Sequence, residues 1–331
     1  MKVAVYSLHK FEKPFLEKVN AGRFEMHFFD LRLCVETAPL SAGFEAASLF
    51  VSDDASAPVL EILHRQGIRF IVLRSAGFNN IDMAKALQLG IRVARVPAYS
   101  PYAVAEHAVA LMMALNRKLV RAHNRIMELN FSLDGLTGFD MNGKTAGIIG
   151  TGKIGVAVAR ILHGFGCHLL AFDKFENEEI KQKYQVEYTD WSSLCSQSDI
   201  ITLHIPLNTM TKYIINETTI GCMKQSVMLI NTSRGALVNT VDVIQALKSG
   251  RIGYFGMDVY EEEEGLFFED HSEDILQDDT IARLMTMQNV LITSHQAFLT
   301  ETALENISET TIYNLDCFAN NGPCENEIIT K

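Results

Sequence analysis

No apolar run in this chain is long enough to cross a bilayer. The longest near the middle, Ala108 to Leu115, falls well short of the roughly 20 residues a spanning helix needs. The opening Met-Lys-Val-Ala-Val-Tyr-Ser7 runs straight into a strand pattern without a cleavable signal, so a soluble, cytoplasmic protein is expected. Basic charge is also scarce: 29 Lys and Arg stand against 40 Asp and Glu, a net of −11. That balance repels phosphate backbones and anionic lipid, so neither nucleic acid nor a membrane is an expected partner. The six cysteines (34, 167, 195, 222, 317 and 324) are widely spaced and form no Cys-x-x-Cys, which reads as reduced thiols. Cys167 lies in an apolar strand run and Cys195 in a predicted helix, where packing accounts for both. No cluster of His, Cys and carboxylates has ligand spacing, so no metal is expected. There is no repeat of solenoid period and no low-complexity tract beyond Glu261 to Glu264.

What is present suffices for two cores, in 331 residues of which 48% are hydrophobic. The first hundred residues alternate short apolar runs with helical patterns. The runs are KVAVYS, EMHFFD, AASLFV, RFIVLRS and RVARVP; the helices are expected near Phe15 to Asn20, Pro58 to Gln66 and Asp82 to Leu89. Such alternation predicts a parallel sheet covered on both faces. Two prolines interrupt the pattern at Val96-Pro-Ala-Tyr-Ser-Pro101, and one long helix, Ala103 to about Met127, is expected to start just past the second. This marks a domain crossing, with domains of 1–100 and 101–297. After a loop over 130–142 a second strand and helix series begins, and after His295 a last helix, Thr300 to Phe318, can pack on either domain.

The second series carries the chemistry. Its apolar runs are TAGII, leading into Gly150-Thr-Gly-Lys-Ile-Gly155; CHLLAF, ending at Asp173; VMLI, ending at Asn231-Thr-Ser-Arg234; GYFGM, ending at Asp258; and NVLITS, ending at His295. In an open parallel sheet the carboxyl ends of the strands line one crevice, so these residues are expected to converge. A lone Gly-x-Gly-x-x-Gly is a weak signal, but this one lies between a strand and a helix. Gly150 permits the tight turn, Gly152 a close approach to a pyrophosphate, and Gly155 helix packing on the strand. The amides that open the helix at Lys153 and Ile154 then face the phosphates. Asp173 lies 18 positions past Gly155, where a carboxylate accepts from both ribose hydroxyls and repels a 2′-phosphate, favouring NAD over NADP. Lys174 beside it weakens that exclusion slightly.

A nicotinamide cofactor points to carbonyl reduction. For a 2-keto acid this requires a cation for the carboxylate and a proton donor for the carbonyl oxygen. Arg234 offers a planar fork that lysine cannot imitate. His295 ends an apolar run, an odd place for an imidazole without a partner, and is the expected general acid. A neighbouring carboxylate would raise its pKa from about 6.5 and keep it protonated near neutral pH. Glu263 is the candidate, although the residues alone do not choose among four adjacent glutamates. His107, in an alanine-rich helix, reads as structural.

The whole chain resembles the D-isomer-specific 2-hydroxyacid dehydrogenases, most closely their fermentative, D-lactate-forming branch. The resemblance rests on Arg-Ser-Ala-Gly-Phe-Asn-Asn80, Val-Pro-Ala-Tyr-Ser-Pro101, Ala-Glu-His107, the Gly150 loop, Asn-Thr-Ser-Arg-Gly235, Met-Asp-Val-Tyr260 and Ser-His-Gln-Ala-Phe298. It implies two doubly wound parallel-sheet α/β domains: a flavodoxin-like substrate domain of 1–100 completed by 298–331, and a Rossmann NAD domain between. It selects Glu263 as the partner of His295 and keeps Arg234. It implies that amides near Ala76 and Gly77 help hold the substrate carboxylate and that Tyr99 and Phe298 line its pocket. Asp258 is implied to contact the nicotinamide carboxamide, with Ile205, Pro206, Thr211, Thr232 and Ser233 beside the cofactor. The implied reaction is ordered, NADH before pyruvate, with domain closure excluding water, in a homodimer or larger homo-oligomer. Ser294 and Tyr102 are positions where relatives differ and do not fix substrate preference. Two alternatives stay open: a bulkier or different 2-keto acid (branched-chain, glyoxylate or hydroxypyruvate), and an NAD(H)-sensing corepressor of the same fold.

Overall fold

Lys2–Val5, Glu25–Phe28, Ala46–Leu49, Phe70–Leu73 and Arg92–Ala94 form strands β1 to β5. Thr145–Ile149, His168–Phe172, Glu187–Tyr188, Ile200–Leu203, Val227–Asn231, Ile252–Met257 and Val290–Ile292 form β6 to β12. The structure is a computed structural model and describes residues 1–329. The chain divides into two compact units, Met1–Ser100 with Leu299–Lys331, and Pro101–Phe298. The second break thus follows Phe298, one residue beyond the end expected at 297, and puts Phe298 with the middle unit.

In the first unit the strand order is β2-β1-β3-β4-β5, all parallel. Side chains alternate across the strand, and β1 uses both faces. Ala4 and Tyr6 pack with Leu60, Leu63 and Ile71 on one side. Val3 and Val5 pack on the other with Ile312, Leu315 and Phe318 of the helix Glu301–Ala319. That helix therefore belongs to the first unit. Phe318 stacks on Phe70 with centroids 5.0 Å apart, and Arg92 holds the tail through Glu327 at 2.6 Å while lying over the Phe318 ring.

In the middle unit the order is β12-β11-β10-β9-β6-β7-β8, again all parallel. The order reverses beside β6, the switch point at which such sheets bind nucleotides. Strand β9, whose run Ile-Ile-Thr-Leu203 carries no glycine-rich or charged terminus, is absent from the sequence reading yet lies at the centre between β6 and β10. β10 is buried along its whole length, which explains a continuous apolar run instead of alternation.

The long helix expected to run to Met127 is two helices, Pro101–Asn116 and Leu119–Met127. Lys118 adopts φ +51° and breaks the run. The first helix buries nine of its residues and the second none, so different surroundings act on either side of the break. Asn116 seals the junction by bonding both ways to Phe139, its amide nitrogen to the carbonyl oxygen and its side-chain oxygen to the N–H, each at 2.8 Å. Among the described residues no helix is long and apolar enough to cross a membrane.

Candidate active site

The nucleotide half is built by glycines doing different jobs. Gly150 follows β6 at φ +96°, and a Cβ there would lie 2.5 Å from the His204 carbonyl oxygen. Gly155 packs its helix so tightly that a Cβ would collide with the carbonyl of Gly150. Gly152 has open space within 4 Å, as a close phosphate approach requires. It also caps the helix Lys153–Gly164 with no side-chain hydrogen bond, which leaves the first amides to a ligand. Lys153 is exposed there, and Ile154 packs partly on the core.

Asp173, just past β7, accepts the Thr151 N–H at 2.6 Å and the Thr151 hydroxyl at 3.1 Å on Oδ2, and the Phe175 N–H at 3.1 Å on Oδ1. Burial opposes its ionisation, but these donors outweigh it and hold the carboxyl below its usual pKa. These donors fix the orientation of the carboxylate that the ribose hydroxyls are expected to meet.

On the far side of the switch point, the Ser233 hydroxyl donates to the Ile205 carbonyl at 2.6 Å. Thr211 folds its loop back by donating to the Pro206 carbonyl at 2.7 Å. Thr232 is buried, and among the described residues its Oγ1 has no partner, an orphan polar atom of the kind a bound molecule satisfies. Open space at Gly152, uncapped amides, an ionised Asp173 and this orphan hydroxyl fit an NAD-type dinucleotide.

Asn231 shapes the next corner. Its side chain accepts the Ser233 N–H at 3.1 Å and donates to the Arg234 carbonyl at 2.9 Å. A Cβ on Gly235 would strike the backbone of Tyr260 and Glu261, so the Arg234 corner lies directly against the loop that carries the four glutamates. Arg234 is half-buried, and its Nη1 donates to the Ser233 carbonyl at 2.6 Å. Among the described residues it has no acidic partner.

The structure separates the glutamates that the residues alone left open, and it pairs His295 with the one that the resemblance selects. Glu261 is engaged by the Tyr213 hydroxyl at 2.7 Å and the Thr240 N–H at 3.1 Å. Glu263 accepts the Tyr260 N–H at 3.1 Å on Oε2, and its Oε1 lies 2.8 Å from His295 Nδ1. Because a carboxylate only accepts, Nδ1 carries the proton of that bond, and Nε2 is the nitrogen left for chemistry.

His295 is not on a strand; β12 ends at Ile292, and the residue sits at φ +48° in the following turn. Asp258 winds that turn around itself. It is fully buried; Oδ1 accepts the Thr293 hydroxyl at 2.6 Å and the Gln296 N–H at 2.9 Å, Oδ2 the Ala297 N–H at 2.9 Å. The His295 N–H donates to its carbonyl at 2.7 Å. Thr293 has spent its proton on Asp258, so His107 Nε2, 2.9 Å away, must donate to the Thr293 oxygen. The structural reading of His107 fits this contact, whereas Thr293 carries no signal in the sequence, its two partners lying 35 and 186 positions away.

In the first unit, Arg95 Nη1 donates to the Ala76 carbonyl and the Ser75 hydroxyl to the Gly77 carbonyl, both at 2.7 Å. The amides of Ala76 and Gly77 find no protein acceptor among the described residues. Tyr99 is tied through its carbonyl to Asn306. Phe298 is half-buried in the middle unit.

Comparison with known proteins bears on this geometry. The profile of the D-isomer specific 2-hydroxyacid dehydrogenase NAD binding domain matches residues 109–297, more than half of the chain. The chain belongs to that family. Within it, the chain is 52% identical over 330 residues to the D-lactate dehydrogenase of Escherichia coli (strain K12), covering 99% of this chain and 100% of that protein. It superposes on the apo-structure of D-lactate dehydrogenase from Escherichia coli with a TM-score of 0.90 at 50% identity, covering 99% and 100% of the two chains. It also matches the D-lactate dehydrogenase with NAD+ from Lactobacillus jensenii, with a TM-score of 0.82 at 32% identity over 100% of both chains. The protein is thus an oxidoreductase of this family with an NAD-binding domain.

Proposed function

We propose that this chain reduces pyruvate to D-lactate with NADH, Arg234, Glu263 and His295 being the catalytic residues. One observation carries the reading: a His295–Glu263 pair at 2.8 Å, its glutamate in a loop packed against the corner of a half-buried arginine that has no acidic partner among the described residues. The likeness to D-lactate dehydrogenases over the full chain supports the choice of substrate.

Arg234 grips the carboxylate of the keto acid with its planar fork. The amides of Ala76 and Gly77 assist it, and Tyr99 and Phe298 contact the substrate's side chain. When bound, the cofactor supplies the hydride. His295 presents Nε2–H to the carbonyl oxygen and gives up that proton, while Glu263 fixes the ring through Nδ1. Thr232 and Ser233, with Ile205, Pro206 and Thr211, flank the cofactor; Lys153 and Ile154 hold its phosphates; Asp258 contacts the carboxamide as well as anchoring the turn. Asp173 favours NAD over NADP. The six unpaired thiols suit the reducing cytoplasm. A second copy of the chain covers the apolar segment after Leu119–Met127, where Leu129 and Leu133 are each 80% exposed.

The decisive experiment follows NADH absorbance with pyruvate against larger and smaller 2-keto acids, with enantiomer-specific detection of the product. Fast turnover of pyruvate to D-lactate is expected. Preference for a bulkier acid would keep the chemistry and replace the substrate; NADH binding without turnover of any acid would overturn the enzymatic reading in favour of a sensor.

A further inference from the structure

A chain of hydroxyls runs behind Asp173. The Asn177 N–H donates to the Tyr188 hydroxyl oxygen at 2.9 Å, the Tyr188 O–H to Thr151 Oγ1 at 2.8 Å, and the Thr151 O–H to Asp173 Oδ2 at 3.1 Å. Its direction follows from its ends. A backbone N–H can only donate and an ionised carboxylate can only accept, so both intervening hydroxyls must point toward Asp173. Reversing either would leave a donor facing a donor at one end. The Thr151 N–H adds a bond at 2.6 Å to the same oxygen.

The parts come from four places. Thr151 is the residue between the first two glycines of the nucleotide loop, Asp173 follows β7, Asn177 caps the helix Glu178–Tyr184, and Tyr188 ends the edge strand β8. Tyr188 is held on its own account: β8 pairs it with Ala171, and Lys181 lies over its ring at 5.5 Å. Thr151 is buried. The relay thus refers Asp173 to a rigid edge of the sheet and not to solvent.

We propose that Thr151 and Tyr188 are positioning residues for cofactor selection, aiming the Asp173 carboxylate at the adenosine ribose and keeping its charge where a 2′-phosphate would lie. The inference rests on the NAD reading above and deepens it. A carboxylate discriminates between ribose hydroxyls and a 2′-phosphate only if it is aimed, and a chain of ordered donors is what limits its rotation. Each donor also favours the charged form, which is the form that repels phosphate.

The test is a binding measurement on the full-length protein, titrating NADH and NADPH by nucleotide fluorescence. Tyr188→Phe deletes one oxygen and should lower the NADPH-to-NADH ratio of Kd about 3- to 10-fold, the range expected for one lost hydrogen bond. Thr151→Val should lower it at least as much, and Thr151→Ser, which restores the hydroxyl, should recover most of it. In an Asp173→Ala background, Tyr188→Phe should change nothing more, since the effect passes through Asp173. If Asp173→Ala lowers the ratio but Tyr188→Phe and Thr151→Val do not, the relay is overturned and the NAD reading stands. If Asp173→Ala itself leaves the ratio unchanged, both fall. An equal loss from Tyr188→Phe with and without Asp173 would show a merely structural tyrosine and overturn the relay. Should Tyr188→Phe fold poorly, the Thr151→Val and Thr151→Ser pair decides alone.

Discussion

His295 holds a left-handed backbone conformation that non-glycine residues seldom adopt, and it does so in a turn wound around a buried carboxylate. Strain of that kind persists only where neighbours over-determine it, and here it fixes which imidazole nitrogen meets Glu263. His295→Ala should therefore cut kcat about 10²- to 10⁴-fold, the usual worth of a general acid, with NADH affinity nearly intact. Arg234→Lys keeps the charge but loses the fork, so pyruvate KM should rise at least 10-fold; steady-state kinetics with both substrates varied would check the pair. An unchanged KM would remove Arg234 from the carboxylate. At this scale much was legible: an arginine before a glycine and a histidine ending an apolar run are unusual enough to be noticed. The choice within the run Glu261 to Glu264 came only through the family resemblance, because four identical side chains differ only in where the loop turns them. Tyr213 and Thr240 claim one; His295 claims another.

Elements were easier to find than their edges. Apolar runs announce buried parallel strands, so most of both sheets followed from composition alone, and only β8 and β9 lacked a signal. β8 has two residues, too few for any period, and for that reason the Tyr188 relay was invisible. β9 ends one residue before His204, whose Nε2 lies 2.9 Å from the Thr202 hydroxyl. Burial pushes this imidazole down to about 3, so it is neutral in the folded chain. The unfolded chain takes up the proton below about pH 6.5 and the folded one does not until about pH 3, so this group's contribution is intact above pH 6.5 and is lost as pH falls, at up to about 1.4 kcal/mol per unit. Between pH 7 and 5 the wild type should lose more in Tm than His204→Gln, with the gap closing above pH 7. Parallel slopes in a thermal melt series would mean that His204 is not the sensitive group.

At the scale of the whole molecule, the exposed run after the helix Leu119–Met127 is the part least suited to a lone chain. Phe131 is 69% exposed between two leucines that are each 80% exposed. Light scattering should give a dimer or larger, and Leu133→Glu should reduce that mass toward one chain; an unchanged mass would exclude this segment from the contact. The sequence showed these residues only as a loop rich in glycine, because surface apolarity matters only once burial is known. The first unit, by contrast, draws its core from both ends of the chain: Phe70 is covered by Phe318 and Arg92 is paired with Glu327. On the ribosome this imposes an order. At about 5 to 20 residues per second, some 10 to 45 s pass between synthesis of β5 and of Phe318, and throughout that time one face of the first sheet has Leu8, Leu16 and Phe24 to pack against but lacks Ile312, Leu315 and Phe318. The middle unit is fully synthesised before its predecessor can close, so the half of the protein made first is the half that matures last.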